Sequence, residues 1–274
     1  MAFVDESGLQ QVWNNIADIN SWMPRNAAAH NSIYRGKDIT SKYEDGSLVE
    51  SIVSGTFDDV FVGDWFGVTF GNVWDSTFKE LSGNQLVDPS PGLSAQVERV
   101  YHYRIMELNR YSGSNNAVIM SDCVGGTSPI HTSNTLPATF GNSALAASAV
   151  WSDVEDFFIP ENLKSHLVEY GETFYNGSGT PGISPHQKSC LLSEEEVFGH
   201  SIQSANQFDV ATTPTQLAAF RYNPDLIWGD RDWWLRSMTS IGYAFISNTH
   251  VVGSSTPTAA HGLRIKFVVG GNPS

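Results

Sequence analysis

The feature that most narrows what this chain can become is a set of short apolar runs that alternate along the sequence and are cut by glycines. One spans 55–71, where Phe57, Val60, Val62, Phe66, Val68 and Phe70 are set among Gly55, Gly63, Gly67 and Gly71. Another spans 97–106, and 117–120 is a short continuous apolar stretch. A period of two places alternate side chains on one face, so these segments are expected to be strands with one side on a core. The chain closes in the same manner at 233–237, 242–246 and 262–269, which predicts three final strands. Between 148 and 170 the spacing changes. Val150, Val154, Phe157 and Phe158 suit one helix, and Pro160 can open a second that carries Leu163, Leu167 and Val168 and ends at Gly171. Strands toward both ends with helices gathered between them describe an α+β fold rather than a βαβ series.

The start of the chain follows a different rule. Ser7 and Gln10 fit a capping box, and Leu9, Val12, Trp13 and Ile16 fall on one helical face. A helix of about three turns is marginal alone in water, so this stripe must pack on its own chain or on a neighbour. Pro24 closes the unit, and the polar stretch 25–46 is expected to be a connector. This divides the chain into an attachment or oligomerisation segment, 1–47, and a main domain, 48–274. Within the latter, 176–182 is read as a surface loop and 188–192 as a short strand. Ser193 is placed to cap a turn begun by Glu194, Glu195 and Glu196, and Leu217, Phe220 and Ile227 suggest one more short helix or turn.

Composition excludes several partners. Eight Trp, nine Tyr and fifteen Phe, with a charged fraction of only 16%, give the chain enough apolar surface to fold. Fifteen basic against 29 acidic residues leave a formal charge of −14, a field that repels nucleic acid and anionic lipid. No apolar run approaches the roughly 20 residues that span a bilayer. The first six residues lack the basic start and apolar core of a signal peptide, so synthesis in a cytosol without membrane insertion is expected. Cys123 and Cys190 belong to no metal or disulfide spacing and read as two buried thiols.

Catalytic signatures are sparse. The sequence has no G-x-S-x-G elbow, no H-E-x-x-H helix and no phosphate-cradling glycine loop, and its histidines are scattered. A calcium site needs several hard oxygen ligands, and Asp230 with Asp232 is the nearest approach. Glycoside hydrolysis needs two opposed carboxylates, whereas Glu194, Glu195 and Glu196 form one acidic turn at a helix start. The expectation is therefore a binder with no catalytic residues, no metal and no cofactor. Trp233, Trp234 and Arg236 could anchor an interface. Their alternation on a strand instead puts at least one tryptophan in the core and leaves Arg236 to brace a neighbouring carboxylate or carbonyl.

Three segments carry a family resemblance. Leu191, Leu192, Ser193, Glu194, Glu196, Phe198 and Gly199, then Trp233, Trp234, Leu235, Arg236 and Ser237, then Gly262, Leu263 and Arg264, match in order and spacing a domain family frequent in phages and prophages of gut bacteria. Its members show LLSE-E-FG, WWLRS and GVRP segments. With Gly63, Asp64, Trp65 and Phe66 at the opening strand, the likeness covers 50–271. Ile265 stands where the family has proline. The family in turn is similar to the C-type lectins used by phage tropism determinants. The first residues, from Phe3 to Trp13, resemble the start of structural proteins of phages that infect Gram-positive hosts.

The resemblance implies a C-type-lectin-like domain behind a short N-terminal helix, in a virion protein such as a fibre, receptor-binding or decoration protein. A homotrimer is expected by analogy, with other virion proteins and a host glycan or surface protein as partners. In tropism proteins the receptor-reading residues lie in the last part of the fold, and loops leaving rigid strands tolerate change. By that analogy the candidate ligand-binding residues are Tyr243, Asn248, His250, Ser254, Ser255, Thr256 and His261. Alternatives are a purely structural capsid or tail decoration and, less favoured, a hydrolase of cell-wall or capsular glycan.

Overall fold

The computed structural model describes residues 27–74, 80–82, 85–87, 96–111, 114–122, 124–137, 140–146, 148–170, 173–175, 181–183, 188–204, 210–211 and 216–271. Leu9, Val12, Trp13 and Ile16, expected on an N-terminal helix, lie outside them, as does Cys123.

In chain order the elements are α1 (Ala27–Asn31), α2 (Thr40–Glu44), α3 (Ser47–Ser54), β1 (Trp65–Trp74), β2 (Glu80–Ser82), β3 (Gln85–Val87), β4 (Gln96–Leu108), β5 (Asn116–Ser121) and β6 (Val124–Ser128). Then come α4 (Ser148–Phe158), α5 (Glu161–Lys164), β7 (Thr173–Tyr175), β8 (Pro181–Ile183), β9 (Ser189–Leu191), α6 (Glu194–Phe198), β10 (Val210–Ala211) and α7 (Ala218–Tyr222). The chain ends in β11 (Trp233–Met238), β12 (Tyr243–Ile246), β13 (Val252–Ser255), β14 (His261–Leu263) and β15 (Ile265–Gly270). The architecture is mixed α+β, with few helices and two five-stranded sheets.

The first sheet has the order β1-β4-β5-β15-β9, with every neighbouring pair antiparallel. Its strands β5 and β15 are buried along their whole length, so both faces are covered. Aromatic rings run across it from α2: Tyr43 stacks on Phe66, Phe66 on Tyr103, and Tyr103 meets Phe267 edge-on. Helix α4 forms where its apolar spacing predicts. It is tied to the sheet by the Tyr103 hydroxyl, which donates to the Phe158 carbonyl at 2.7 Å, and by Trp151 Nε1, which donates to Ser189 Oγ at 2.8 Å.

The second sheet has the order β13-β12-β11-β14-β6, and its β11-β14 pair is parallel. Strands β14 and β15 are separated only by Arg264, so the chain steps from the second sheet to the first across one residue. The junction is reinforced on the other side, where the Arg236 amide donates to the Leu192 carbonyl and the Glu194 amide to Ser237 Oγ, both at 2.8 Å.

Four expectations change. The stretch 25–46 is packed, from residue 27 on, rather than a bare connector. Tyr34 and Asp38 bridge to Val62 and Trp65, and Ile39 is buried. The buried Asp64 carboxylate binds the Arg35 guanidinium and the amides of Phe61 and Lys37. Arg35 also pairs with Asp59, and the Lys37 ammonium, with Arg35 second, holds that carboxyl down to about 2. Second, strand begins only at Trp65, because 55–63 is a looped segment with Phe57 and Asp59 at positive φ. Gly63 there has φ +86° and the Tyr34 ring against it, where a Cβ would sit 2.3 Å from a ring carbon. Third, the helix opened at Pro160 stops at Lys164. Leu167 and Val168 instead join the edge of β15, the Val168 amide donating to the Val268 carbonyl at 3.0 Å. Fourth, the three expected closing strands are five, since 248–261 contains β13 and the run 262–269 is broken at Arg264.

Candidate recognition surface

Strand β11 is buried at all six positions, so both Trp233 and Trp234 are core residues. Covered on both sides, the strand makes the alternation of its side chains irrelevant to exposure. Each indole N–H still finds an acceptor: Trp233 Nε1 donates to the Ile227 carbonyl at 3.2 Å and Trp234 Nε1 to the Ser128 carbonyl at 2.7 Å. Arg236 is buried as well, and its Nη1 lies 3.2 Å from Cys190 Sγ. Cys190 is buried, as expected.

Outside this rigid strand two loops meet. The first, 228–232, is held from below by Arg264, whose guanidinium covers the Trp233 ring at 4.7 Å and donates to the Leu226 carbonyl at 2.8 Å. Gly229 lets the loop lie on that guanidinium, since a Cβ there would come within 2.9 Å of Arg264 Nη2. The second loop, 247–251, turns tightly. The His250 amide donates to the Ser247 carbonyl at 3.0 Å, the Ser247 amide donates to the Val251 carbonyl at 2.8 Å, and His250 adopts φ +65°.

One carboxylate joins the two loops. Asp232 Oδ1 accepts from Ser247 Oγ at 3.0 Å and from the Asn248 amide at 2.9 Å, while Oδ2 faces His261 Nδ1 at 3.7 Å. Above it the Trp228 and His250 rings stack at 4.7 Å and 25°. Asn248 Nδ2 reaches the Asp230 carbonyl at 3.5 Å, and the Asp230 side chain is 75% exposed. Below it the His261 imidazole lies flat on Phe245 at 4.4 Å and 7° and meets Trp234 edge-on at 4.3 Å. Burial lowers the His261 pKa from the ordinary imidazole value against the opposing pull of Asp232.

The candidate residues thus separate. Asn248 and His250 stand together on the exposed tip, and His261 lies half-buried one step beneath. Ser254 and Ser255 are on β13, where the Ser254 hydroxyl contacts Thr239 Oγ1, and Thr256 is exposed in the loop that follows. That loop is tied down by Pro257, whose carbonyl accepts the amides of Ile130 and His131 at 3.0 Å each. Tyr243 is the correction. It is fully buried, edge-on to Phe140 and Trp234, because β12 turns that position toward the core, so it offers no surface to a ligand. Ser247 belongs to the tip and has no signal in the sequence, and Trp228 enters it from the turn of Gly229, Asp230 and Asp232, the nearest approach to a calcium site. The signal available was an aromatic residue beside glycine in an Asp-rich turn.

The acidic run 194–196 opens a helix capped by Ser193, as its sequence suggests. All three glutamates of that turn are buried. Glu194 accepts the amides of Ile202, Gln203 and Ser204 at 2.9 to 3.0 Å, and Ser204 Oγ at 2.5 Å. Ser193 and Glu196 close a capping box, and Glu196 Oε1 pairs with the buried Lys266 Nζ at 2.5 Å. Among the described residues no three His, Cys, Asp or Glu side chains are grouped to hold a metal ion, and no helix is long and apolar enough to cross a membrane. Compared with family models, curated proteins and solved structures, the chain matches none of them.

Proposed function

We propose that this chain is a bacteriophage virion protein whose region 48–274 is a C-type-lectin-like binding domain, with the tip made by 228–232 and 247–251 as its recognition surface. The observation that carries the reading is the Asp232 clamp. Two short polar loops are fastened to each other over a fully buried strand, an arrangement in which a rigid scaffold presents exposed polar and aromatic groups at little entropic cost on binding. The resemblance of the 191–199, 233–237 and 262–264 segments to the phage family supplies the virion setting. The charge of −14 favours an uncharged glycan or a protein over a phosphate-bearing polymer. The apolar stripe of Leu9, Val12, Trp13 and Ile16 anchors the subunit to other virion proteins, and trimeric display turns weak single sites into avid attachment.

Binding of the purified full chain to a panel of gut bacterial cells tests this directly. Wild type is expected to adhere, and a variant with 248–250 replaced by glycine and serine is expected to lose adhesion while keeping its fold. Equal adhesion by both would sink the reading. Release of soluble saccharide from the cells would replace it with a hydrolase. Labelling of the chain on the capsid lattice, with no adhesion, would replace it with a decoration protein.

A further inference from the structure

We infer that His261 is an acid-sensitive latch that controls the tip through Asp232. The latch would regulate the recognition surface proposed above and depends on that reading for its use in the virion. Its mechanics stand on the geometry alone.

The imidazole sits between an aromatic face and an aromatic edge, 13% exposed, with Nδ1 toward Asp232. With the proton of the neutral ring on Nδ1, Nε2 is a bare lone pair, buried and without a hydrogen-bond partner. That is tolerable for an acceptor against apolar neighbours. Protonation would turn Nε2 into a buried donor with nothing to receive it and place a cation in an apolar slot, both costly. The elements around the ring bring little charge to offset this. Phe245 comes from β12, Trp234 from β11 and Ser128 from the paired position on β6. The charged neighbours are Asp232 and Arg231, whose stem lies against Gly262.

Asp232 cannot answer the imidazolium without consequence. The carboxylate that would close on Nδ1 from 3.7 Å is the one whose other oxygen holds Ser247 and Asn248. Acid therefore either expels the ring from its slot or draws Asp232 away from the loop, and both loosen 247–250. The sign agrees with burial lowering the folded-state pKa. The neutral ring's contribution to stability is complete above the ordinary imidazole range, near 6.5, and is lost as pH falls through the lower folded value.

The test is NMR on the intact chain, with the His261 ring and the backbone amides of Ser247 and Asn248 followed in one sample from about pH 8 to about pH 5. The amides are expected to move with the same midpoint as the ring. Protection of the Asn248 amide, corrected for intrinsic exchange, is expected to fall roughly tenfold for each pKa unit of coupling. In His261→Phe, which keeps the aromatic packing and cannot titrate, the amide shifts that share the ring's midpoint should vanish, with His250→Asn in both proteins to remove the other imidazole of the loop, and His261→Gln serves if the phenylalanine variant does not fold. Amides that ignore the ring's midpoint in wild type, or that titrate unchanged in a folded variant, overturn the latch. Neither result bears on cell adhesion, so failure of the latch and failure of the recognition reading remain separate.

Discussion

The two acid-rich segments, 194–196 and 230–232, look alike in sequence and meet opposite fates. Each comes one small residue after a pair of large apolar ones, and each precedes or opens an ordered element. Yet Glu194, Glu195 and Glu196 are swallowed at the junction of the two sheets, whereas the Asp230 side chain stands in solvent and Asp232 is only partly covered. The difference lies in what each meets. Glu194 is wrapped by three backbone amides and a hydroxyl from 202–204, and Glu196 has a capping box and Lys266. At the other segment, Asp232 receives one amide and one hydroxyl on a single oxygen. Donors arranged around them admit Glu194 and Glu196 to the interior, while Glu195 is carried in beside them with one hydroxyl, that of Ser201, on Oε1 and no hydrogen-bond partner on its buried Oε2.

That contrast can be broken first at Glu196. Glu196→Ala takes the carboxylate away from the buried Lys266 ammonium and is expected to cost about 3–5 kcal/mol in chemical denaturation. Changing both partners, Glu196→Leu with Lys266→Met, should recover most of that loss, and no recovery would mean that the pair is not the source. Glu194→Gln comes next. It keeps the shape, removes the charge that four donors face and is expected to cost roughly 1.5–3 kcal/mol. Asp232→Ala should lower global stability by only about 1 kcal/mol. Its effect should be concentrated in faster hydrogen exchange at Ser247 and Asn248, and a uniform rise in exchange across β11 would instead make the clamp part of the core. Asp230→Asn is expected to stay within about 0.5 kcal/mol of wild type, as surface changes do. A larger loss there would erase the distinction between the segments.

Much of the strand content was legible because a period of two survives in 97–106 and 243–246 whatever the strands pack against. Helix α4 was legible for the same reason at a period of 3.6. The Ser193 cap could be read because it is local, complete within four residues. Harder to read was anything set by contacts distant in sequence. Residues 27–47 look polar enough for a connector, yet Arg35 finds Asp64 and Ile39 finds the core. Leu167 and Val168 keep a helical spacing but are drawn to the edge of β15. At the candidate surface, Asn248 and His250 could be nominated as residues of a loop leaving the closing strands. Trp228 could not, since its partner His250 lies across a loop and two strands.

Local pattern thus decided that 97–106 and 243–246 become strand, that 148–158 becomes helix and that Ser193 caps a helix. Burial was decided elsewhere. Whether a tryptophan, a glutamate or a histidine faces solvent depends on how many layers close over its element. β11 is covered on both sides, so Trp233 and Trp234 are both core despite pointing in opposite directions. The same closure brought Asp232, Ser247, Asn248 and His261 to one point. Only a folded chain can do that, because hydrogen bonds and desolvation act over a few ångströms in space and take no account of separation along the sequence.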